Sequence, residues 1–72
     1  MSEEKIYEIV EDVANITNRE GKWNLKLKRI SWHGRDPKFD LRSWSPDEEK
    51  MGKGLTLTQE EFDALKEYFK SL

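Results

Sequence analysis

The sequence predicts an α+β fold: a four-stranded antiparallel sheet followed by one C-terminal helix, β-β-β-β-α. Three observations predict it. Four segments carry strand patterns and are separated by turn residues. The last segment combines helical periodicity with a capped start. The 72 residues contain no cysteine and one histidine, so a single domain spanning 1–72 is expected to fold without disulfides or a zinc site.

Residues 5–17, KIYEIVEDVANIT, are rich in β-branched side chains. Ile6, Val10, Ala14 and Ile16 share one parity, and Tyr7, Ile9 and Val13 the other. This suits a long strand with a bulge that re-aims its side chains. Ile6, Ile9, Val10 and Val13 also fit a helical stripe, which is the competing reading. NREG, 18–21, is a turn in which Gly21 can take a positive φ.

KWNLKLKRISW, 22–32, alternates as a second strand, with Trp23, Leu25 and Leu27 opposite Asn24, Lys26 and Lys28. The alternation breaks at Lys28-Arg29, after which Ile30 and Trp32 share the parity of the lysines. Either a bulge flips the register or Trp32 sits among the basic residues. HGRDP, 33–37, is a turn. KFDLRSW, 38–44, is the third strand, with Phe39 and Leu41 on one face and Lys38, Asp40, Arg42 and Trp44 on the other. SPDEEKMG, 45–52, reads as a solvated acidic loop, and KGLTL, 53–57, as a short fourth strand with Leu55 and Leu57 inward.

The helix has Thr58 as N-cap and Glu61 three residues on, a capping box. Phe62, Leu65, Phe69 and Leu72 form its apolar stripe. A helix over 59–71 is roughly 20 Å long and about 10 Å wide, enough to cover much of one face of the sheet. The other face must then meet water, a partner chain or a ligand. Asp40, Arg42 and Trp44 are expected on that uncovered face.

Hydrophobic residues make up 35% of the chain and charged residues 39%, which leaves a lean core. Domains of this size bury only about 60% of their unfolded surface. Oligomerisation is the remaining means of stabilising it. No apolar run approaches the roughly 20 residues of a membrane span, and the start, MSEEKIYEIVED, is acidic rather than signal-like. A cytoplasmic protein without a membrane partner is expected.

The net charge of −2 conceals an uneven distribution. Residues 22–44 carry seven basic side chains against Asp36 and Asp40, together with Trp23, Trp32 and Trp44. Salt screens charge over about 8 Å, so a ligand senses this local patch rather than the total.

Catalysis fits poorly. His33 lies in a glycine-containing turn, where a solvated histidine is the ordinary case. Asp47, Glu48 and Glu49 lack the spacing and central glycine of a calcium loop. Gly52-Lys53-Gly54 is a fragment of a phosphate loop and precedes a strand. No enzyme activity, cofactor or small-molecule substrate is expected. Single-stranded nucleic acid fits better, because such sites combine cations for phosphates with aromatic rings for stacking. Arg42 and Trp44, two apart on one face, can serve adjacent phosphate and base. The competing reading of Trp44 is a ring shielded by lysine stems or buried in a dimer interface.

KFDLRSW, then a polar turn with proline and acids, then KGLTLTQEEFDAL, resembles the single-stranded-DNA-binding domain of the eukaryotic transcriptional positive cofactor four. The whole chain looks still more like the bacterial YdbC family of that superfamily. D-x-R-x-W at 40–44, S-P-D-x-E-K-M-G-K-G at 45–54 and the capped helix carry the likeness together.

The resemblance implies a homodimer that binds single-stranded DNA with little sequence dependence. It implies phosphate and stacking roles for Arg42 and Trp44. It places Trp32 at an aromatic position, with Arg29 before it, and Lys53 and Lys50 at lysine positions. Lys26, Lys28 and Lys38 join the expected DNA contacts from parity and charge. The coactivator-like role of the eukaryotic protein runs through an N-terminal serine- and acid-rich region, and the first strand is expected here about five residues from the start. That role is not carried over, and support of transcription regulation, replication or repair stays open. Two alternatives remain: an RNA-binding module, and a protein-interaction dimer without a nucleic-acid ligand.

Overall fold

The computed structural model describes residues 6–72. The acidic start, including the first residue of the expected opening strand, lies outside the described residues. The order is β1 Tyr7–Asn15, β2 Asn24–Trp32, β3 Lys38–Trp44, β4 Met51–Leu57 and α1 Gln59–Lys70. The four strands form one antiparallel sheet in sequential order, β1-β2-β3-β4. The expected fold class is therefore present. β2 starts two residues later than expected and β4 two residues earlier.

The bulge expected in β1 is present, and there are two. The β1–β2 register shifts between Ile9 and Glu11 and again between Asp12 and Ala14, leaving Val10 and Val13 as the extra residues. Each shift turns the following side chains to the other face. Tyr7, Ile9 and Asp12 pair with Trp32, Ile30 and Lys28, whereas Glu11 and Ala14 pair with Arg29 and Leu27. The β2–β3 ladder is continuous from Asn24↔Trp44 to Ile30↔Lys38. Trp32 thus keeps the parity of the lysines, which settles the ambiguity left by the sequence.

The turns follow backbone rules. His33 and Gly34 both take positive φ, 53° and 73°, and Arg35 N–H donates to Trp32 C=O at 2.9 Å. A left-handed pair suits a tight turn between twisted strands. Gly21 takes φ 73°, as expected.

The helix begins with the expected capping box. The Thr58 hydroxyl accepts from Glu61 N–H at 3.1 Å, and the Glu61 carboxylate accepts from Thr58 N–H at 2.9 Å. The helix touches β3 and β4. Its Phe62 stacks on Phe39 at 3.8 Å between ring centroids. It does not close the face it covers. A cavity of about 400 Å³ separates helix from sheet, lined by Leu25, Leu27, Leu41 and Leu57 below and Phe62 and Leu65 above. No helix residue is buried, and Phe69 and Leu72 are exposed.

The second face overturns an expectation. It is not open. Ile30, Asp40, Trp44 and Lys28 are its floor, with exposures of 0%, 0%, 1% and 2%. Curvature is the reason. Trp44 pairs with Asn24 at one end of β2, and Tyr7 pairs with Trp32 at the other. On a flat strand those ends stand about 26 Å apart. Yet the Tyr7 and Trp44 rings lie 6.3 Å apart, so the sheet curls onto this face. Bulges increase local twist and bend. Two sit in β1, and the β3–β4 register shifts between Arg42 and Trp44.

Candidate nucleic-acid interface

The curled face gathers Lys26 and Lys28 from β2, Asp40, Arg42 and Trp44 from β3, Trp32 from the end of β2 and Tyr7 from β1. Lys26 stands directly opposite Arg42, and Lys28 directly opposite Asp40. Arg42 is forked on Asp40, Nε to Oδ1 at 2.5 Å and Nη2 to Oδ2 at 2.8 Å. Asp40 also accepts from the Thr56 hydroxyl at 3.0 Å. These three bonds satisfy a carboxylate with no exposure, which would otherwise be costly to bury. The Arg42 guanidinium carbon stands 5.1 Å from the centroid of the Trp32 ring, a cation–π contact.

Gly54 makes room for this arrangement. It pairs with Arg42, and a Cβ there would lie 2.0 Å from the Arg42 Cβ and 2.4 Å from the Leu41 carbonyl oxygen. No side chain fits.

Lys28 bonds Asp12 and donates to Glu48 at 3.1 Å, while its ammonium stands 4.9 Å from the Trp44 centroid. Burial works against the charged amine, but the hydrogen bonds and charges of Asp12 and Glu48 outweigh it and raise the Lys28 pKa. Lys26 donates to Glu48 at 2.8 Å. The two lysines hold the Glu48 carboxyl below its ordinary range. Asp47 is lowered as well, by the Ser45 hydroxyl and the Glu49 amide.

These partners revise the picture of a positive groove. Lys26, Lys28 and Arg42 are met by Glu48, Asp12 and Asp40, so the inner face is charge-balanced. Trp44 lies on the expected side, but its ring is buried beneath the Lys28 ammonium. That is the shielded-tryptophan reading, and the ring offers no free stacking surface in this conformation. Trp32 is half-buried.

Arg29 departs from the expected cluster. It pairs with Phe39, lies 5.8 Å from that ring and bridges Glu11 at 3.6 Å, all on the helix face. The break in alternation at Lys28-Arg29 is not a register flip; Arg29 stands where an apolar residue is usual. Lys38, Lys50 and Lys53 are exposed, in β3, the β3–β4 loop and β4. The acidic loop is not simply solvated, because Glu48 reaches two lysines. Asp12, Glu48 and Tyr7 were missed as members of the site. A β1 bulge hides Asp12 from a parity count.

The indole N–H groups of Trp32 and Trp44 are buried and reach no acceptor in the protein. Buried donors usually have one, so each calls for an explanation. Among the described residues no group of three or more His, Cys, Asp or Glu could hold a metal ion, and no helix is long and apolar enough to cross a membrane.

An antiparallel sheet that sets tryptophans against guanidinium and ammonium groups has the parts of a single-strand-binding module. Residues 19–68 match the family described as Transcriptional Coactivator p15 (PC4). The chain belongs to this family, which is associated with binding single-stranded DNA. It is also similar to an uncharacterized protein of Treponema pallidum (strain Nichols), 46% identical over 66 residues that cover 92% of this chain and 78% of that one.

Proposed function

We propose that the protein binds single-stranded DNA as a homodimer, with little dependence on sequence. The observation that carries this reading is the Trp32–Arg42 pair on the curled face, in a chain of this family. Trp32 is the base platform. Lys38, Lys50 and Lys53 are phosphate contacts at exposed positions, with Arg42, Lys26 and Lys28 further in. Trp44 supports the floor, beneath the Lys28 ammonium. Arg29, on the other face, is left out of the contact surface. Within the family we place the chain with the YdbC group, on the motifs at 40–44 and 45–54, serving transcription, replication or repair.

The open cleft under α1, with Phe69 and Leu72 exposed beside it, supports a second copy as its cover. Sedimentation equilibrium at micromolar concentration should give twice the 8.6 kDa chain mass. Titration of labelled oligo-dT at several salt concentrations tests the binding. Trp32→Ala should weaken it by about 1–3 kcal/mol with the salt dependence unchanged. Lys38→Ala should reduce the slope of log K on log salt by about 0.7. Preference for the ribo-oligonucleotide would move the reading to RNA. Absence of binding to either would remove it.

A further inference from the structure

Glu48 reaches back from the β3–β4 loop to β2. Its two carboxylate oxygens each take one ammonium, Lys26 at 2.8 Å and Lys28 at 3.1 Å. The loop is shaped to present this carboxylate. Glu48 holds φ 60°, a left-handed conformation that a non-glycine residue keeps when its surroundings enforce it. Those surroundings are visible. Glu48 N–H donates to Ser45 C=O at 2.8 Å and Lys50 N–H to the Ser45 hydroxyl at 3.0 Å. Asp47 takes the Ser45 hydroxyl at 2.7 Å and Glu49 N–H at 3.0 Å.

A pair of anionic oxygens spanning two ammonium groups is also what a backbone phosphate offers. We propose that Glu48 is an internal rival of the nucleic-acid phosphate: it occupies Lys26 and Lys28, and a bound strand displaces it. The inference rests on the single-stranded-DNA reading and adds to it the residue that sets affinity. Glu48 is half-exposed at its side chain, 46%, whereas Lys26 and Lys28 are 14% and 3%, so an incoming anion gains the pair as Glu48 leaves it. Lys28 also lies over Trp44, so displacing Glu48 loosens one hold on the ammonium that covers that ring. The loop is thus a counter-ion attached to the protein, and bound DNA exchanges with it as with a salt ion.

The test is oligo-dT titration by fluorescence anisotropy at several salt concentrations, with wild type, Glu48→Gln and Glu49→Gln. Glu49 carries the same charge in the same loop and, among the described residues, has no ion pair, so it measures the effect of net charge alone. Glu48→Gln should bind about three- to tenfold more tightly, the worth of two partly screened ion pairs. Its salt slope should steepen by about 0.7–1.4, one or two phosphate contacts. Glu49→Gln should stay within about twofold of wild type. If Glu48→Gln does not melt cooperatively, Glu48→Asp decides the matter, because the shorter carboxylate should give an intermediate gain. Equal or weaker binding by Glu48→Gln relative to Glu49→Gln, in a wild type that binds, overturns this inference alone. Failure of every variant to bind overturns the DNA reading with it.

Discussion

The two faces of the sheet are built on opposite plans. The helix face is apolar, with Leu25, Leu27, Leu41, Phe39 and Leu57, yet only Leu57 among these is buried and a cavity of about 400 Å³ remains beneath the helix. The curled face carries lysines, an arginine, an aspartate and tryptophans, yet it buries Ile30, Trp44, Asp40 and Lys28 almost completely. Burial here follows curvature rather than polarity. A curled sheet brings its own side chains together, and charges tolerate this because each is partnered. A single helix of 12 residues cannot do the same for the apolar side.

The largest test of this contrast is Trp44→Ala. A tryptophan 1% exposed should cost about 3–5 kcal/mol when truncated, read from urea denaturation. A silent substitution would mean that the curl does not hold in solution.

Leu41→Ala probes the other face and should cost less, about 1–2 kcal/mol for a half-buried leucine beside a cavity. If a second copy fills the cleft, that cost should grow towards about 2–5 kcal/mol and the melting temperature should rise with protein concentration. The ratio of the two substitutions, measured at low and high concentration, reports which face is complete in the monomer.

The smallest effect concerns pH. The Glu48 pKa is lowered in the folded protein, so its stabilisation is fully present above the ordinary carboxylate range and is lost as pH falls through the lowered value. Lys28 is raised, so its contribution is complete below the ordinary lysine pKa and disappears as pH climbs through the raised one. Glu48→Gln should therefore flatten the acid side of a melting-temperature profile. An unchanged acid side would show that the clamp on Lys26 and Lys28 contributes nothing to folding.

The fold was legible in the sequence because its signals are local. Strand alternation fixed β3 at Lys38–Trp44, and Thr58 with Glu61 fixed the start of α1. The face of Arg42 and Trp44 was legible too, because side chains alternate along a strand. Whether that face is open was not legible. Openness depends on the curl, and the curl is set where several strands meet: at Val10 and Val13, and at the shift opposite Ser43. Charge balance was hidden for the same reason. Asp12 reaches Lys28 only through a bulged register, and Glu48 only through the loop's return path. A count of basic residues between 22 and 44 could not see either partner.

The sequential strand order has a kinetic consequence. Every strand pairs with the one before it, so the sheet can grow hairpin by hairpin, each step closing a short loop. The contact between Tyr7 and Trp44 joins β1 to β3 across β2 and can form only once three strands are in place. Trp44 then governs how long the protein stays folded, rather than how quickly it folds. In stopped-flow experiments its truncation should accelerate unfolding and leave the refolding rate nearly unchanged. The tryptophan on the inner face acts as a latch that closes only after the strands it joins have paired.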